Sequence, residues 1–80
     1  MAKGSNIVHR YFKKKLEESV ILVKVNPVYF SGLEIALLKD GDVEMRELTF
    51  DEAIWDDLKA GGFEEASALE FNLYYTGLAR

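Results

Sequence analysis

Asp40, Asp42 and Glu44 stand at alternate positions around Gly41 in the stretch ALLKDGDVEMREL. Clustered carboxylates invite a metal reading, because hard cations take oxygen ligands. A calcium loop, however, needs about six to eight oxygens converging from a longer curved segment. Asp40-Gly41 is also the dipeptide favoured by a two-residue type I′ turn, and an apolar run lies on each side of it. The spacing therefore predicts a hairpin tip, with residues 33–39 as one strand and 42–48 as its return. Asp42 and Glu44 read as solvated, and no metal is expected.

The other chemistry-bearing residues form no constellation. His9 is the single histidine and cysteine is absent, which disfavours a zinc site within one chain and excludes disulfides and thiolate nucleophiles. His9 lies between Val8 and Arg10, with no acid that sequence alone places beside it. It reads as a surface or packing residue rather than a general base. Ser5, Ser19, Ser31 and Ser67 occupy no G-x-S-x-G motif, and no glycine-rich phosphate loop is present. Asp56-Asp57 and Glu64-Glu65 are adjacent pairs, which diverge by about 100° on a helix and read as solvated faces. No residue set nominates itself for catalysis, and no cofactor is expected.

Residues 1–80 are read as one small α+β domain, with 1–5 disordered. An apolar fraction of 49% argues for a packed core rather than disorder. No apolar run precedes the lysines, so neither a signal peptide nor a spanning helix is expected, and cytoplasmic residence is the default. The net charge of −4 is unevenly placed. Residues 1–27 hold six basic and two acidic residues, whereas 28–80 hold four and twelve. Such asymmetry marks either an interaction surface or two ends of one fold that attract each other.

These residues must be positioned by a few short elements. In SNIVHRYFKKKLEES, Ile7, Val8, Tyr11, Phe12 and Leu16 recur three or four apart, which predicts a helix capped by Ser5 or Asn6. On it, Lys13 and Lys14 would pair with Glu17 and Glu18. A strand competes, since NIVHRYF is rich in β-branched and aromatic residues. Residues 19–25 read as a strand that Asn26-Pro27 interrupts. Thr49 and Glu52 suggest a capping box for a helix through Phe50, Ala53, Ile54 and Leu58, stopped by Gly61-Gly62 with Phe63 packing behind. Trp55 reads as an edge-of-core residue, with a binding anchor as the alternative. ALEFNLYYT alternates and predicts a last strand, with a helix from Glu64 as its rival.

The order α-β-β-β-α-β predicts a two-layer sandwich with a four-stranded mixed sheet, strand order 3-2-1-4, and both helices on one face. The opposite face would then expose Val20, Leu22, Ala36 and Leu38 within a rim that includes Arg46 and Tyr74, the anatomy of an interface. The reading that follows is a non-enzymatic interaction or regulatory module, binding a second copy or one protein partner through that face. Two alternatives stand beside it. Arg10, Lys13, Lys14 and Lys15, interleaved with Tyr11 and Phe12, could form a nucleic-acid-binding helix. A small enzyme or ligand-binding subunit could form its pocket at a dimer interface.

Overall fold

The computed structural model describes residues 8–76. Its strands are β1 (Arg10–Lys15), β2 (Val20–Asn26), β3 (Ser31–Leu37), β4 (Val43–Thr49) and β5 (Glu64–Ala66). Helix α1 (Ile54–Ala60) lies between β4 and β5 in the chain, and α2 (Ala68–Tyr75) follows β5. The strands form one sheet in the order β4-β3-β2-β1-β5, with every neighbouring pair antiparallel. The expected four-stranded mixed sheet is thus corrected. The meander β2-β3-β4 is present, but the place beside β2 belongs to β1 and not to the last segment. The two helices also pack against different faces.

The first correction comes from hydrogen-bond demand. Strand β2 buries Leu22 on one face and Val23 and Val25 on the other, so neither of its edges can be left open. Residues 10–15 fill the vacant edge by pairing Phe12 with Val23 and Tyr11 with Lys24. Alternation then sends Arg10, Phe12 and Lys14 to one face, and Tyr11, Lys13 and Lys15 to the other. The helical stripe is not used: Val8 and Leu16, two of its members, are exposed. Glu17 and Glu18 form the turn between Leu16 and Ser19, closed by Leu16 N–H donating to Ser19 C=O at 2.8 Å. Lys13 pairs instead with Glu70, and Glu18 with Lys39. The expected caps at Ser5 and Asn6, and the expected disorder of residues 1–5, lie outside the described residues.

Both later hairpins follow local turn chemistry. Asn26 Oδ1 accepts from the N–H groups of Val28 and Tyr29, and Phe30 closes the loop by donating to Asn26 C=O at 2.8 Å. Phe30 adopts φ 54°, a left-handed conformation held by its ring packing near Trp55. At the acidic hairpin, Gly41 N–H donates to Leu38 C=O and Leu38 N–H donates to Asp42 C=O. The loop is therefore the three residues 39–41, with Gly41 at φ 93°, rather than a two-residue type I′ turn. The Asp40 carboxylate accepts from Asp42 N–H, which gives it a local role in the turn.

Thr49 ends β4, so it does not cap α1. Asp51 instead shapes the turn that leads into α1, its side chain accepting from Ala53 N–H and its carbonyl from Ile54 N–H, while the N-cap position is Ala53. The glycine stop forms as expected. Phe63 N–H reaches Leu58 C=O, Gly62 N–H reaches Lys59 C=O, and Gly62 takes φ 86°. That turn drives Phe63 into the cluster of Phe12, Val23, Val25, Ile54 and Leu58. The chain then adds the short edge strand β5 beside β1.

Residues 68–75 are the second correction. They form a helix because Ser67 caps it, its Oγ accepting from Glu70 N–H at 3.0 Å. Phe71 points inward and seals Leu22 and Ile35, all three essentially inaccessible, with Tyr11 and Tyr74 around them. Leu69 lies two residues away, on the far side of the helix, and is 71% exposed. Helix and strand thus make opposite predictions for these two positions. We expect Phe71→Ala to cost about 3–5 kcal/mol in denaturant unfolding, and Leu69→Ala to stay within about 0.5 kcal/mol. Comparable costs at both positions would instead place them on one strand face.

Candidate functional site

The α2 face of the sheet carries the candidate site, and register decides its composition. Row by row across β2, β3 and β4, it presents Val20–Leu37–Val43, Leu22–Ile35–Met45, Lys24–Leu33–Glu47 and Asn26–Ser31–Thr49. The face is therefore graded along the strands, apolar near the acidic hairpin and polar at the other end. Helix α2 packs over β1 and β2. Eight residues give a helix about 12 Å long, while five strands span about 19 Å. The β3–β4 half is consequently left with a lighter roof. Met45 is 46% exposed, and Val20, Leu37 and Val43 are half-buried.

At the polar end, a cleft of about 650 Å³ opens between the sheet and α2. His9, Lys24, Asn26, Ser31, Glu47 and Thr49 line one wall, and Phe71, Asn72 and Tyr75 the other. Strand alternation from Tyr11 brings His9 to this face. Partial burial pushes the His9 imidazole below its ordinary value of 6.5, and the nearby Lys24 ammonium adds to the effect. The cleft joins two polar rows to an aromatic wall, the make-up of a small-ligand site. Among the described residues no group of three or more metal-ligating side chains converges.

The sequence-derived interface residues do not share one surface. Val20 lies on the α2 face and belongs to the half-covered strip. Leu22 is on the same face but fully buried beneath Phe71, and Tyr74 helps to cover it. Ala36 and Arg46 lie on the α1 face, Ala36 opposite Ile21 and Arg46 bonded to Glu34 at 2.8 Å. Leu38 sits at the hairpin mouth, 37% exposed. The four-residue loop 27–30 aligns Leu22 with Ile35 and leaves Ala36 one step out of line, and one step reverses every side chain.

The basic residues are also dispersed. Arg10 pairs with Glu65 at 2.7 Å, its guanidinium 4.8 Å from the centre of the Trp55 ring. Lys13 bonds Glu70 at 2.6 Å on the opposite face, and that hydrogen bond holds its ammonium above the usual lysine value. Lys14 lies over Phe63, and Lys15 is exposed at the strand end. The helix that would have gathered these four is absent, and Trp55 is half-buried in the α1 cluster.

Sequence reading missed the cleft residues and Met45. Two signals were available. S-x-x-E at Ser67–Glu70 marks the start of α2, and a strand reading of HRYFKKK puts His9 on the same face as Tyr11 and Lys13. Comparisons with protein-family models, with curated proteins and with solved structures found no match to this chain. Among the described residues no helix is long and apolar enough to cross a membrane.

His9 gives the cleft an internal probe, because its imidazole is the single one in the chain. Its proton NMR titration is expected to have a midpoint below 6.5, moving upward in Lys24→Gln. The folded state favours the neutral ring, so the unfolded state takes up the proton first. The stability linked to His9 is therefore complete above 6.5 and declines as pH falls below it.

Proposed function

We propose that this protein is a small non-enzymatic association module that engages a second copy of itself through the β3–β4 half of the α2 face. The observation that carries this reading is the apolar strip Val20, Leu37, Val43 and Met45, which runs from beneath α2 to the open edge of the sheet. One exposed apolar side chain, Met45, with three partly buried ones beside it and a polar row next to them, fits the anatomy of an interface, an apolar centre with a polar rim. A second copy is the simplest occupant because a two-fold contact needs only one such patch. A different protein partner would use the same strip.

Less supports a nucleic-acid reading: among the described residues Arg10 and Lys13 are neutralised by Glu65 and Glu70 on different faces. The cleft at the polar end favours one further role, the binding of a small polar ligand between Lys24 and Tyr75.

Sedimentation at micromolar to millimolar concentration is expected to show reversible dimers. Met45→Glu should weaken them about tenfold by burying an unpaired carboxylate. The thermal midpoint should hardly move, because Met45 is already half in water. Dimers of unchanged strength in Met45→Glu would overturn the reading, as would a monomer throughout the range.

A further inference from the structure

The two sheet edges differ in kind. Strand β5 is three residues long and begins Glu64-Glu65, a short acidic edge of the sort that discourages pairing. Strand β4 has seven residues, and among the described residues no strand pairs with its outer side.

The phase of its free hydrogen bonds can be read from the hairpin. Leu38 N–H donates to Asp42 C=O at one end of the β3–β4 ladder, and Phe50 N–H donates to Phe30 C=O at the other. In an antiparallel ladder the bonded pairs alternate. Glu44, Arg46 and Leu48 therefore turn their backbone groups toward β3. Val43, Met45, Glu47 and Thr49 turn theirs outward, with no strand partner among the described residues.

Resting on the association read above, we propose that two copies pair their β4 strands antiparallel about a two-fold axis at Met45, forming one continuous ten-stranded sheet. In this register Met45 faces Met45 as a hydrogen-bonded pair, and Val43 and Glu47 form the next ones. Glu44 of each copy then faces Arg46 of the other at the closer, non-bonded spacing, giving two opposite-charge pairs on the α1 face. The register one step to either side would set Arg46 against Arg46 or Glu44 against Glu44. Charge alone therefore selects the Met45 axis. On the α2 face the row Leu22–Ile35–Met45 continues without a break into its mate, joining the two apolar strips into one floor between two α2 helices.

Charge reversal tests this pairing. In Glu44→Arg, each copy presents two cations to its mate, and in Arg46→Glu two anions, so each variant alone is expected to dimerise about tenfold more weakly. An equimolar mixture restores both opposite-charge contacts, and sedimentation should recover dimers of nearly wild-type strength that weaken with salt. The mixture carries the same folded-state changes as its components, so recovery cannot come from altered stability. Single variants as tight as wild type, or a mixture that stays monomeric while wild type dimerises, would overturn the edge pairing. If Met45→Glu still weakened such a dimer, face association would survive without it. A wild-type chain monomeric to millimolar concentration would remove both.

Discussion

A strand that is oily on both sides cannot end a sheet, and β2 is that strand. Leu22 lies inaccessible on one face while Val23 and Val25 are buried on the other. Water therefore cannot reach its backbone from either side, and both rows of peptide groups must find strands. The meander supplies β3. Residues 10–15, the neighbouring segment in the chain, take the other edge, and their recruitment divides the aromatic residues, Phe12 to one cluster and Tyr11 to the other. Each of the two helices then roofs one of those clusters. The five-stranded order, the two-sided core and the separation of the helices all descend from that pairing.

The same recruitment disposes of the basic charge. As a strand, residues 10–15 deliver lysine and arginine alternately to two faces, where acids from the second half of the chain meet them. Glu65 takes Arg10 and Glu70 takes Lys13. The positive first third and negative remainder are thus two parts of one fold attracting each other. What stays outside this neutralisation is the β3–β4 half of the α2 face, apolar toward the acidic hairpin and polar toward the cleft.

Local signals in the chain were legible wherever one residue's conformational needs decide the outcome. Gly61-Gly62 stops a helix because the turn needs positive φ, and Asp40-Gly41 marks a hairpin for a related reason. The loop proved one residue longer than expected, which changes the turn type and shifts the register by one: Glu34 comes opposite Arg46, where a two-residue loop closing Lys39 on Asp42 would have set it opposite Glu47. Strands β2, β3 and β4 were likewise readable, since continuous β-branched and aliphatic runs too short for helices leave little choice. Ambiguity sat at the two ends. HRYFKKK and ALEFNLYYT each satisfy both periods, because aromatic residues at adjacent and alternate positions fit a helix stripe and a strand face alike. Of the candidate site, the sequence reading named Val20 but neither Met45 nor the cleft, since these depend on how three strands line up.

Composition and pattern by themselves determined a small cysteine-free α+β domain with a three-stranded meander and a glycine-stopped helix, because each feature rests on residues close together in the chain. Tertiary structure decided which end of the chain paired with β2, which side of each strand met which helix, and where apolar surface was left over. Those outcomes turn on register and on competition for a vacant edge. A shift of one residue reverses every side chain at almost no local cost, so only the assembled sheet can choose between the alternatives.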